Sequence, residues 1–427
     1  MMRLVINTIY LRQLRWPRWR LSGLSTLALL VGVLVALPVA AVISHVLAAG
    51  TSDTWSHLSA TVLPDYIWST IWLCLGVGVG TALMGVGAAW LVTRYDFPLR
   101  GVMEWALVLP LAVPGYVMAY TYTDLLQFVG PVQTALRDTF GWTRADYWFP
   151  DVRSLGGAVV LFTLVLYPYV YMLARTSFIE RSAGMLEVGR SLGLGSWGSF
   201  WRVALPLARP AIAAGVALAL METLADFGAV SYFGVQTFTT GIYRAWFSLG
   251  DRVAAAQLAT ALLGFVILVL AFERLSRGRA RFHDTSLRRN SYRGRRLGGW
   301  RAMLLIVACS IPLIAGFMLP AGILLEMAIT EGDAQFGERF FELSRNSVTV
   351  AGLTAVIAVV LAVTLGYASR LRASWLVRGV HRLAGLGYAL PGTVIAVGVL
   401  IPVSRFDNML TNWLPQNFGW DSGLVIT

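Results

Sequence analysis

The sequence predicts an all-α protein, a polytopic bundle of transmembrane helices, and three observations carry that prediction. Of the 427 residues, 57% are hydrophobic and only 13% charged, whereas a soluble domain carries about 25% charged residues. Mean hydropathy is +0.67. Apolar stretches also recur at the roughly 20-residue length that a helix needs to cross the hydrocarbon core.

Taken in order, the stretches are 22–48, 67–93, 102–124, 155–176, 208–230, 253–272, 302–328, 346–368, 381–403 and a last one starting near 421. The first follows Arg12, Arg15, Arg18 and Arg20 but is too long for a signal-peptide core, so it reads as an uncleaved span. The third and ninth contain prolines, tolerable in a bundle whose neighbours satisfy the freed backbone groups. Cys74 and Cys309 fall inside apolar runs and read as small buried hydrophobes. The four histidines are scattered, so neither a metal site nor another cofactor is expected.

The 34 basic residues are all arginine and give a formal net charge of +12. They lie between apolar runs, the pattern that sets topology rather than one that binds nucleic acid. No nucleic-acid partner is expected, and membrane lipid is. Arg3, Arg12, Arg15, Arg18 and Arg20 place the N-terminus in the cytoplasm, while the next loop, 49–66, holds no arginine. Arg94 and Arg100, then Arg181, Arg190 and Arg202, then ten arginines in 273–301, then Arg370, Arg372 and Arg378 continue the alternation. The loop 125–154 offsets its three arginines with Asp138, Asp146 and Asp151. The stretch 273–301 reads as a solvated linker touching anionic headgroups.

An internal repeat divides the chain. Ala112, Pro114, Gly115, Val117 and Ala119 recur 277 positions later as Ala389, Pro391, Gly392, Val394 and Ala396. With one residue of shift, Arg94, Arg100 and Gly101 match Arg372, Arg378 and Gly379, and Phe140-Gly141-Trp142 matches Phe418-Gly419-Trp420. Six spans separate the copies, so the repeat is parallel rather than inverted. The expected domains are a six-helix unit over 1–272, the linker 273–301, and the N-terminal part of a second unit over 302–427.

The segment from Met185 to Pro210 is too polar to span a membrane, yet its small and apolar residues are more ordered than those of a plain loop. Leu186, Leu192, Phe200, Trp201 and Val203 offer contacts to a partner, Gly193 and Gly195 can break a helix, and Pro206 suits a first helical turn. Glu187, with Gly193 six residues on, then Val203, Leu205 and Pro206, resembles the "EAA" loop of binding-protein-dependent ABC importer permeases. Val188 and Gly189 stand where that loop usually has alanines. The resemblance implies a type I (MetI-like) permease fold and a coupling helix. Glu187 would contact a cytoplasmic ABC ATPase, Gly193 would shape the bend, and Val203, Leu205 and Pro206 would lead into the fifth span.

Glu222-Thr223-Leu224-Ala225-Asp226-Phe227-Gly228, with Ser231 to Gly234 and Thr237 to Arg244, is similar to the ferric-iron branch, which typically fuses two six-helix halves. The implied partners are cytoplasmic ABC ATPase subunits and a periplasmic binding protein, and the implied location is the bacterial inner membrane. The chain itself would be a transporter subunit and not an enzyme; it lacks any Gly-x-x-x-x-Gly-Lys sequence, so ATP hydrolysis falls to a partner. A second coupling loop would fall at about position 464, implying a chain truncated in its second half from roughly 550 residues and about 12 spans, twice the repeat.

Glu222 and Asp226 share a face of the fifth helix. They read either as a polar lining of the translocation path or as a pair that joins helices through Arg244 or Arg252. Pro114, Gly115, Pro391 and Gly392 read as hinges or as close packing. Permeases for a polyamine, thiamine or phosphonate are the alternatives within the class. An ion-gradient-driven secondary transporter and a membrane-embedded enzyme are the alternatives outside it.

Overall fold

The computed structural model describes residues 23–48, 57–58, 60–191, 193–277, 295–330, 337–371, 375–385, 387 and 390–418. Most of the described chain is helical, joined by turns and loops, and its strand pairing is a two-residue parallel one of Tyr95–Asp96 with Arg295–Arg296. Among the described residues eight helices are long and apolar enough to cross a membrane, or nine counting one bent pair. The all-α membrane bundle expected from composition is the fold observed.

The expected spans reappear as the helices Gly23–Ala48, Leu63–Arg94, Leu155–Ser191, Leu205–Ala225, Arg252–Arg277 and Glu338–Leu371, with the continuous run Gly299–Thr330. Two readings need correction. The third stretch, 102–124, is not one kinked helix: Arg100–Ala112 and Gly115–Phe140 meet at 91°. Val113, extended at ψ 118, precedes Pro114, and the proline ring disfavours a helical residue before it. The ninth stretch, 381–403, likewise divides into Trp375–Gly385 and Gly392–Phe418, on either side of Pro391. The tenth lies outside the described residues.

The helix boundaries follow the repeat. Shifted by 277, Leu63–Arg94 covers 340–371, where Glu338–Leu371 stands. Gly115 and Gly392, 277 apart, each open a helix after a proline. The copies then differ. In the first, one helix ends at Leu126 and another starts at Pro131 after Gly130, whereas the matching Asp407 and Asn408 lie inside an unbroken helix in the second.

Contacts divide the chain into two units. In Met1–Leu37 with Phe336–Gly387, a small core joins Ala28, Val31, Leu365, Ala368 and Val377. Most apolar side chains of Glu338–Leu371 are exposed, with 6% of its membrane window buried, an apolar surface whose natural solvent is lipid.

In Pro38–Gln335 with Tyr388–Thr427, three helices pack through small residues. Gly85 and Gly215 close on Val170 from two helices; a Cβ would stand 2.7 Å from Val170 Cβ at Gly85 and 2.7 Å from Val170 Cα at Gly215. Lipid tails are as apolar as leucine, so membrane helices associate by such close approach rather than by hydrophobic burial. Two prolines of this unit, Pro206 and Pro320, follow widened turns. The π-helical segments Phe200–Ala204 and Ile314–Met318 end two residues before Pro206 and Pro320, and a π turn loosens the crowding that a proline ring imposes on the preceding carbonyls.

The expected solvated linker is tethered at its described end. Leu297 N–H donates to the Asp96 carbonyl at 2.9 Å, and Arg296 Nε lies 3.5 Å from Asp96 Oδ2.

Candidate functional site

The segment singled out in the sequence is a tight turn between two long helices rather than a separate pair of short ones. Leu155–Ser191 carries Glu187 near its end; the Glu187 side chain lies outside the described residues. Gly193 takes a left-handed φ of +83 with open space around it, and Leu194 N–H donates to the Gly189 carbonyl at 2.9 Å. That is the six-to-one bond of a Schellman cap, in which glycine at the left-handed position ends the helix without a Cβ penalty. The next helix starts at Ser196 and continues through the π turn into Leu205–Ala225.

Val203 and Leu205 are partly buried against a core containing Trp90, Phe178, Phe200 and Ala204. Trp90 meets Phe178 at 5.5 Å and Phe200 at 5.0 Å between ring centroids. Gly189 faces the second helix, and a Cβ there would sit 3.4 Å from Leu194 Cδ1 and 3.6 Å from Val203 Cγ2. These are ordinary contacts, so an alanine, the residue usual at this point of the loop, would fit. The two helix ends are therefore joined across an aromatic cluster rather than by a slack loop.

The second set of candidates meets at one place. Asp226, just past Leu205–Ala225, turns its Oδ1 onto the backbone N–H groups of Ala229 at 2.8 Å and Val230 at 3.3 Å, so it caps the short helix Gly228–Tyr232. Its carbonyl accepts from Thr239 Oγ1 at 2.8 Å. A Cβ on Gly115 would stand 3.4 Å from Asp226 Oδ2 and 3.7 Å from Phe162. The first break and the second candidate carboxylate, read separately in the sequence, are thus neighbours. Glu222 receives a long hydrogen bond from Tyr169 Oη at 3.5 Å. Arg252 donates to Ser404 at 3.3 Å. At the second break Pro391 is buried, and a Cβ on Gly392 would meet nothing within 4 Å.

Sequence reading missed the clamp that holds the first break. Glu104 accepts from Arg100 at 3.1 Å and from Arg175 at 2.8 Å. Tyr171 and Tyr167 donate to the carbonyls of Glu104 at 3.0 Å and Leu107 at 2.9 Å. These bonds satisfy backbone groups that the broken helix leaves open. The available signal was Glu104 itself: an ionisable residue in an apolar run needs a partner, and Arg175 stands at the end of another run.

Residues 81–281 match the family described as "Binding-protein-dependent transport system inner membrane component". The chain is 28% identical over 406 residues to the Fe(3+)-transport system permease protein FbpB 2 of Haemophilus influenzae, covering 93% of this chain and 74% of that protein. It is 28% identical to the molybdenum transport system permease protein ModB of Escherichia coli, over 51% of this chain and 99% of that one. The probable sulfate transport system permease protein cysT of Chlorokybus atmophyticus is 29% identical, over 50% of this chain and 70% of its own length.

Proposed function

We propose that this chain, which matches the binding-protein-dependent transport family over residues 81–281, is the membrane channel of an ATP-driven importer whose cargo is ferric iron. The observation that carries the iron assignment is the extent of likeness to the Haemophilus ferric-iron permease, 93% of this chain, against about half for the molybdenum and sulfate permeases. Those two matches favour a second reading, an oxyanion cargo.

In the proposed arrangement 1–272 is the first permease domain, 273–301 a cytoplasmic linker and 302–427 part of the second domain, in the bacterial inner membrane with a cytoplasmic N-terminus. A loaded periplasmic binding protein docks on the outer face, and a pair of cytoplasmic ATPase subunits closes on ATP. The Gly193 turn, with Glu187, Val203, Leu205 and Pro206, receives that motion and passes it along both attached helices. ATP then shifts a population between inward- and outward-open states, by as much as its differential affinity for the two.

The test is reconstitution of the chain with its ATPase and binding protein in proteoliposomes, reading uptake of labelled ferric iron, molybdate and sulfate. Iron uptake that is stimulated by the binding protein and lost in Glu187→Ala with Gly193→Pro supports the proposal. Uptake of an oxyanion instead moves the cargo assignment, and iron uptake without an ATPase overturns the importer.

A further inference from the structure

Two cavities adjoin at the start of the Leu155–Ser191 helix. One is polar and has Gln127, Gln133, Arg144, Arg153 and Trp148 on its walls. The other, about 310 Å³, is apolar and runs along Val160, Leu161 and Leu164 to Tyr122 and Phe233. They share Leu126, Phe149, Pro150, Asp151 and Val152, so both lie against the same short segment.

The polar cavity has a built frame. Arg137 donates to the Phe128 carbonyl at 2.8 Å and to Tyr147 Oη at 3.1 Å, and Tyr147 donates to Gln133 at 2.7 Å. Two further guanidinium groups stand at the cavity: Arg144 over the Phe128 ring at 5.3 Å and Arg153 over the Tyr232 ring at 5.6 Å. Arg153 also donates from Nε to the Tyr232 carbonyl at 3.1 Å. Asp151 is the carboxylate among the lining residues, and its Oδ1 already accepts from the Arg153 backbone N–H at 3.0 Å. The cavity is therefore cationic and suits an anion.

The apolar cavity follows a candidate membrane span, Leu155–Glu180. From Leu155 to Leu164 the helix rises about 13 Å, close to half of a roughly 30 Å hydrocarbon core. Val160 is 60% exposed there. A cationic recess at the first turn of a span, beside an apolar furrow that follows it, presents side by side the two chemistries of a lipid, an anionic headgroup and an apolar tail. Trp148, 85% exposed, is the kind of residue enriched at headgroup level.

We propose that this composite cleft binds an anionic phospholipid, its phosphate between Arg144 and Arg153 and one acyl chain along Val160, Leu161 and Leu164. The lipid would touch Phe233 and the Tyr232–Arg153 contact, a few residues from Asp226, so its occupancy bears on the segment that packs on the first break.

The test is native mass spectrometry of the purified chain with phosphatidylglycerol, phosphatidylcholine or inorganic phosphate added. Phosphatidylglycerol is retained about tenfold more strongly than phosphatidylcholine, the lower range for a charge-assisted hydrogen bond. Arg144→Ala with Arg153→Ala erases that preference. Val160→Trp, at an exposed position, keeps the thermal midpoint and weakens both lipids by filling the furrow. Equal retention of the two lipids in the wild type overturns the proposal. So does full displacement of phosphatidylglycerol by equimolar phosphate, which assigns a small-anion site. Arginine variants that keep the lipid preference but lose binding-protein association make the recess a protein-docking face instead.

Discussion

Replacing Asp226 separates the two roles that its position allows. Asp226→Ala removes the acceptor of the Ala229 and Val230 amides, bonds of 2.8 and 3.3 Å. The Thr239 bond, made to the backbone carbonyl, stays. Loss of a capping aspartate costs about 1–2 kcal/mol, which is a factor of roughly 5–30 in a local opening equilibrium. Hydrogen exchange followed by mass spectrometry in detergent reads that factor directly on the peptide spanning Gly228–Tyr232. Protection there falls by this factor in Asp226→Ala and is retained in Asp226→Asn, whose side-chain oxygen still accepts. Transport then distinguishes charge from cap. If the carboxylate serves only to hold the short helix, Asp226→Asn transports like the wild type. If it lines the path, Asp226→Asn loses transport with protection intact. Unchanged protection of residues 229 and 230 in Asp226→Ala refutes the capping geometry itself.

Two further outcomes follow from contact distances and titration. Gly215→Ala places a Cβ 2.7 Å from the Val170 backbone, which cannot yield without separating the helices, a cost of about 1–3 kcal/mol. Gly189→Ala meets only contacts of 3.4 Å and longer and gains about 0.5–1 kcal/mol of helix propensity. A thermal scan with a thiol-reactive dye, reporting exposure of the buried Cys309, should show a lower midpoint for the first variant and a higher one for the second. Asp146 accepts from Thr143 N–H at 2.6 Å and Thr143 Oγ1 at 2.7 Å, and these bonds hold its carboxyl below the ordinary 3.8. A depressed carboxylate contributes order that is complete above its unfolded value and lost as pH falls through the folded one. The Thr143 methyl resonance should therefore stay constant from pH 8 to 5 and shift only below 3.8; a midpoint above that value contradicts the geometry.

The sequence alone determined the all-α membrane fold, most span positions and the Gly193 turn. Each depends on quantities summed or fixed locally: transfer free energy over about 20 residues, and the left-handed backbone that glycine alone adopts without a Cβ penalty. The breaks at Pro114 and Pro391 were legible only as prolines in apolar runs. Whether such a proline kinks a helix or divides it at 91° depends on the packing around it, and just before the first break Tyr167 and Tyr171 of another helix hold the carbonyls of Leu107 and Glu104. Tertiary structure alone decided the rest. It paired Glu104 with Arg175 across 71 residues, brought Asp226 near Gly115, and set a cationic recess beside an apolar furrow. Hydropathy fixes how deep a residue sits, but the partner of a buried polar group is chosen by how closely two helices approach, and that is a property of the packed bundle rather than of either segment.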